Sequence, residues 1–223
     1  GQNRQKPTKK HITMIIRKAN KTDIPFIVNA IMEIENFEDQ NTFNNLFGTD
    51  TETTKKYLSA FLEDDENFDT EFSLNTYSIA EYDGERAACC SIFFTDNEYY
   101  QNKSELFPIH LAKNHLEHFF SNAKTLPETK KISTNKYFLE YLFVAPEFRS
   151  KGVSKPLIEH LVNQTDRMYL IPLENNEFAI DYYRRLGFQD DENVKRFAIH
   201  TPENPIYPYS HKIMLYRDNK PSV

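Results

Sequence analysis

The stretch from Phe138 to Val162, FLEYLFVAPEFRSKGVSKPLIEHLV, reads as a strand, a basic turn and a helix in direct succession. Phe138 to Val144 is rich in aromatic residues, Leu and Val, as a half-buried strand would be, with one carboxylate, Glu140, among apolar neighbours. Ala145-Pro146 ends it, because proline has no amide to give to a ladder. Leu157, Ile158, Leu161 and Val162 then recur at helical spacing, which predicts a helix from about Val153 or Ser154. Pro156 is tolerated in its first turn, where amides have no internal partner.

The turn between them, Arg149-Ser150-Lys151-Gly152-Val153-Ser154, is suited to an anion. Unpaired amides and the positive end of the helix dipole favour a phosphate there, Gly152 lets backbone approach a ligand, and Arg149 and Lys151 add charge. The chemistry alone says phosphate, most simply a diphosphate. Neither Gly-x-x-x-x-Gly-Lys-Ser/Thr nor Gly-x-Gly-x-x-Gly occurs among the 5 glycines.

Val144-x-Pro146-x-x-Arg149-x-x-Gly152-x-Ser154 resembles the acetyl-CoA signature of the GNAT N-acetyltransferases. A second element follows in order: within Leu170 to Phe188, the residues Asn176, Ala179, Tyr183, Gly187 and Phe188 fall on the family's Asn-x-x-Ala-x-x-x-Tyr-x-x-x-Gly-Phe pattern. Ser150 and Ser154 stand where glycine is common, and Pro172 where a β-branched residue is usual; Ser154 narrows the diphosphate pocket slightly.

The resemblance implies an α/β fold, a splayed mixed and mostly antiparallel sheet flanked by helices, with acetyl-CoA as co-substrate entering where the fourth and fifth strands separate. It implies cofactor contacts from Leu142, Phe143 and Val144, with the amides around Phe143 and Val144 polarising the thioester carbonyl, from Arg149, Ser150, Lys151, Gly152, Val153 and Ser154, and from Asn176, Ala179 and Tyr183. Asn176 contacts the pantetheine or stabilises the helix start; both readings are open. Tyr183 is the expected donor to the departing thiolate, the alternative being a packed aromatic, and Tyr182 takes an apolar position and reads as core. An amine-bearing acceptor, small molecule or peptide, attacks the thioester directly, and Glu140 is the candidate general base. The alternative for Glu140 is a solvent-facing or ion-paired carboxylate. For the whole chain, the alternative is a GNAT-like module that binds acyl-CoA without turnover.

At 223 residues one large domain is expected, over 12–218, with 1–11 as a disordered tail. The 18 Phe and 13 Tyr, with no Trp, supply much of the packing, and no apolar run approaches the ~20 residues of a membrane span. The polar, basic start shows no apolar signal core. Cys89 and Cys90, being adjacent, are expected reduced on a strand, which suits the cytoplasm. The net charge of −6 speaks against general nucleic-acid binding and is compatible with a cationic amine, although plain solubility explains it as well. Dimers are common in the family, which admits a homodimer.

Along the chain, Ile12 to Lys18 reads as a first strand with Met14, Ile15 and Ile16 buried. Asn20 to Asp23 offers helix caps for a helix carrying Ile24, Ile27, Ile31 and Ile34. Asn36 to Gly48 reads as a loop bordering the acceptor site, and Thr51 to Leu62 as a helix with Tyr57, Leu58, Phe61 and Leu62 inward. Glu63 to Glu66 is most simply a solvated acidic loop. Asp83-Gly84 joins two strands, Thr76 to Tyr82 and Arg86 to Phe94, as a hairpin. Asp96 to Lys136 is a long insertion between the third and fourth strands, a lid or interface around a helix from Pro108 to Phe120. His115 and His118 on that helix share a side, but no ligand pattern completes a metal site. His211 to Arg217 alternates as a final strand, after a polar connection from Asp190 to Pro208.

Overall fold

The structure, a computed structural model, describes residues 12–199, 206 and 210–219; the expected tail at 1–11 lies outside them. The chain opens with strand β1 (Met14–Lys18) and helix α1 (Ile24–Ile34), then a short hairpin of Asn36–Phe37 with Gln40–Asn41. Helices α2 (Thr42–Phe47) and α3 (Thr51–Glu63) lead into strands β2 (Tyr77–Tyr82) and β3 (Glu85–Phe94). Next come α4 (Asn97–His110), α5 (Lys113–Ala123), the single turn α6 (Lys130–Ser133) and strand β4 (Tyr137–Val144). The last third runs α7 (Ser154–Val162), β5 (Arg167–Leu170), α8 (Glu177–Arg185), β6 (Gln189–Asp190), β7 (Arg196–Ala198), β8 (His211–Ile213) and β9 (Leu215–Asp218).

Seven strands form one sheet in the order β1-β2-β3-β4-β5-β9-β6, antiparallel throughout except where β4 and β5 run parallel. Helices cover both faces. On one, α1 to α5 bury Ile27, Phe47, Phe61 and Phe107 against Tyr77, Cys89 and Phe143; on the other, Leu157, Ile158 and Leu161 of α7 pack on Ala88, Cys90 and Met168. Cys89 and Cys90 thus point into opposite cores, both as buried thiols, and burial raises both above the usual thiol range.

Local chemistry explains the junctions. Asp83 (φ 52°) and Gly84 (φ 83°) both take positive φ between the paired Tyr82 and Glu85, as a two-residue hairpin turn requires. Asp23, fully buried, accepts from Arg17 at 2.7 and 2.8 Å and from Arg86 at 2.6 Å, tying the start of α1 to β1 and β3. Burial alone would raise its pKa, but these hydrogen bonds outweigh it and hold the carboxyl far below the usual range.

Four readings of the sequence change. Ile15 is 47% exposed on the outer edge strand, so only Met14 and Ile16 turn inward. The loop read over Asn36–Gly48 contains α2, capped by the Asn41 side chain on the amides of Phe43 and Asn44 and ended by Gly48 at φ 65°. The helix read over Pro108–Phe120 is two helices: α4 starts eleven residues earlier under an Asp96 cap and carries Pro108 in its last turn, and α5 follows. The closing strand breaks at the buried Met214, so that β8 pairs with β7 while β9 joins the main sheet.

Candidate active site

Strands β4 and β5 pair only through Tyr137–Met168 and Phe138–Tyr169, then part. A bulge in β4 decides which of its side chains border the gap. The β3–β4 register jumps from Ser91–Glu140 to Cys89–Phe143, and Tyr141 sits at φ 54°, a region that costs a non-glycine residue about 1 kcal/mol or more. The extra residue reverses the alternation. Leu139 packs toward α7, whereas Tyr141 and Phe143 pack toward α1. Consecutive residues Glu140 and Tyr141 therefore both border the space on the α1 side.

The opening between the parted strands is a cavity of about 210 Å3, lined by Glu140, Leu142, Ile171, Asn176, Ala179 and Tyr183 among others. Five of the expected site residues thus converge there. Burial pushes the Glu140 carboxyl up to about 7; Glu71 and Glu35 add repulsion, while Lys212 and Lys103 draw it back. Tyr183 on α8 packs edge-on against Tyr182 and Phe188, and its hydroxyl has no hydrogen-bond partner among the described residues. Burial, with Glu140 among the neighbouring negative groups, raises its phenol above the usual range, so the group keeps its proton.

The edge of β4 facing this cavity offers amides. Ala145 donates to Ala87 of β3 at 2.8 Å, so alternation turns Phe143 toward β3 as well and leaves the amides of Leu142 and Val144 on the open side. The sequence reading of Phe143 as a donor is corrected accordingly. Below it, α7 begins without a side-chain cap, and the amides of Gly152, Val153 and Ser154 donate to no carbonyl among the described residues. Gly152 holds φ 69° with open space where a Cβ would stand, so conformation rather than crowding demands glycine. Arg149 is turned back, its Nε donating to the Val144 carbonyl at 3.2 Å. The Ser154 and Tyr182 hydroxyls are hydrogen-bonded, which makes Tyr182 a brace between α8 and the turn as well as a core residue. Asn176 caps α8 by accepting from the Ala179 amide at 3.2 Å, which is the helix-start reading, and it also lines the cavity.

A second, larger cavity of about 370 Å3 lies on the far side of Glu140 and shares Glu35, Glu140, Tyr141, Ile171 and Lys212 with the first. Helices α4 and α5 and the paired strands β7 and β8 wall it. Apart from Glu140, sequence reasoning missed its charged residues. Glu71, buried, accepts from the Tyr99 hydroxyl at 2.6 Å and pairs with Lys103 at 2.5 Å; Glu35 accepts from the Tyr141 hydroxyl at 3.2 Å. No motif carries these residues, because they come from four separate parts of the chain. The three histidines of 96–136 lie apart from this cavity: His110 pairs with Asp64, His115 bonds Tyr57, and the His118 ring packs over Gly48.

The sequence profile of the acetyltransferase (GNAT) family matches residues 40–188. The chain belongs to this family. It is thereby an acyltransferase of the class that takes acetyl-CoA as co-substrate. GNAT folds also surround it among solved structures. An N-acetyltransferase from Staphylococcus aureus Mu50 superposes with a TM-score of 0.67 at 13% identity, covering 91% of this chain and 99% of its own. A further acetyltransferase gives 0.58 at 16% identity, covering 92% and 100%. The Drosophila melanogaster polyamine N-acetyltransferase gives 0.53 at 12%, again covering 92% and 100%. At such identities the likeness is one of fold. A comparison with curated protein sequences finds no match.

Proposed function

We propose that the protein transfers an acetyl group from acetyl-CoA to a primary amine, with Glu140 as general base and Tyr183 as donor to the leaving sulfur. The observation that carries this reading is the convergence of both side chains on one cavity where β4 and β5 part, with a carboxyl poised at about 7. The amides of Gly152, Val153 and Ser154, unspent at the start of α7, suit the diphosphate of the co-substrate, and the open-edge amides of Leu142 and Val144 suit its pantetheine and thioester carbonyl.

An alkylammonium of pKa near ~10.4 is only about 0.04% neutral at pH 7, so freeing its lone pair costs roughly 4–5 kcal/mol. A carboxylate at about 7 accepts that proton, directly or through one water, while staying half ionised at neutral pH. The nitrogen then attacks the carbonyl carbon, the C–N bond forms, and the C–S bond breaks with its electron pair on sulfur. Tyr183 donates a hydrogen bond to that sulfur. The nitrogen sheds its second proton to solvent as the amide forms. Because an alkyl thiol, at ~8.5, is more acidic than this phenol, Tyr183 keeps its proton. The thiolate is protonated from solvent on release, and Glu140 passes the first proton to solvent.

Purified protein is assayed for thiol release from acetyl-CoA with a panel of primary amines, beside calorimetry of CoA binding. Amine-dependent thiol release supports the proposal. CoA binding with no release from any amine supports the silent acyl-CoA module instead.

A further inference from the structure

The larger cavity bears on which amine is accepted, an inference that rests on the function proposed above. We propose that the acceptor is a primary monoamine with an aryl-bearing apolar body, seated in the 370 Å3 cavity with its ammonium toward Glu35 and Glu140.

Two observations carry this. The first is the wall: Phe43, Phe72, Tyr99, Phe107, Phe119 and Phe138 present rings to one space, with Phe107 and Phe119 stacked at 4.1 Å. Such a wall gains by enclosing another ring or a methylene chain. The second is the charge count. Among the described residues, three carboxylates (Glu35, Glu71, Glu140) and two lysines (Lys103, Lys212) line the space, a formal balance of one negative charge. Lys103 neutralises Glu71, and Lys212 acts on Glu140. Glu35 meets a neutral hydroxyl and stands in no ion pair among the described residues. One uncompensated charge matches one ammonium. A diamine or polyamine brings a surplus cation into an aromatic enclosure, and an amino acid brings its carboxylate toward Glu35 and Glu71.

The test measures kcat/KM by thiol release at saturating acetyl-CoA for 2-phenylethylamine, 1,5-diaminopentane, spermidine, phenylalanine and an alanyl peptide. Phenylethylamine is expected to lead each of the others by at least about tenfold; preference for any of them overturns the proposal. Lys103→Met uncovers Glu71, whose partner a second ammonium can replace, so the ratio of diaminopentane to phenylethylamine is expected to rise at least about tenfold. An unchanged ratio in folded Lys103→Met protein contradicts the charge count. Should that variant fail to fold, Glu35→Gln is read instead, with an expected rise of at least about fivefold in the KM of phenylethylamine; an unchanged KM overturns the proposal. Calorimetry of phenylethylamine with the CoA-saturated protein separates the two claims. Turnover of another amine without phenylethylamine binding removes the acceptor class and leaves the function. Phenylethylamine binding without thiol release from any amine removes the function and leaves the cavity's occupant.

Discussion

Replacing Glu140 with Gln keeps the shape of the side chain and removes its ionisation, and two separate quantities should respond. The first is the pH–rate profile. With a base at about 7, the carboxylate is about 10% ionised at pH 6 and about 90% at pH 8, so the native rate should rise about ninefold across that window and level off until the amine itself titrates near ~10. In Glu140→Gln only the free amine reacts, so the rate should climb about tenfold per pH unit from pH 6 to 9 without a plateau, starting ~100- to 10,000-fold below native at pH 7.5. The second is stability. Folding raises this carboxyl from near ~4.3 to about 7, so the folded state holds the proton more tightly, and stability falls as pH rises through that interval. The cost at pH 8 is on the order of 2–3 kcal/mol, allowing for partial solvent screening. Gln escapes it, so the variant should melt a few degrees higher than native at pH 8 and much the same at pH 4.5. Stopped-time thiol release and thermal melts across pH 4.5–9 supply both readings. A profile in the variant that still breaks near 7, or a variant destabilised at pH 8, would refute the assignment.

Three further outcomes rest on the same geometry. Tyr183→Phe removes a hydroxyl that bonds nothing among the described residues, so kcat should fall about 100-fold while the KM for acetyl-CoA and the melting temperature stay close to native. Gly152→Asp places an L-residue at φ 69° and an anion beside the unspent amides; calorimetry should show CoA affinity reduced by at least about tenfold, with stability lowered by about 1 kcal/mol of strain. Asp23→Ala leaves Arg17 and Arg86 without their buried partner and should cost about 3–5 kcal/mol in urea unfolding. Because folding depresses the Asp23 pKa, its contribution is present at neutral pH and lost as pH falls below ~4, so native and variant stabilities should converge in acid.

The strand–turn–helix around Gly152 and the Asp83-Gly84 hairpin were legible because their signals are local: proline, positive φ and apolar period act within a few residues. Glu140 and Tyr183 were legible as residues, one by its odd place in an apolar strand and the other by its motif. The bulge at Tyr141 was not. It depends on how β4 fits β3, and it decides that Glu140 and Tyr141 face the same side and that Leu142 and Val144, not Phe143, expose their amides. The start of α4 was hidden for a different reason: its face is nearly as polar as a loop, so only the Asp96 cap announced it. The larger cavity assembles single residues such as Glu35, Glu71 and Lys212 from distant elements, and no spacing records that.

The most direct measurement is a crystal structure of the protein with CoA. The diphosphate should lie against the amides of Gly152, Val153 and Ser154, and the sulfur within about 3.5 Å of the Tyr183 hydroxyl, between α8 and the open edge of β4. Density for the nucleotide away from the start of α7, or a sulfur out of reach of Tyr183, would contradict the site on which the proposed chemistry depends.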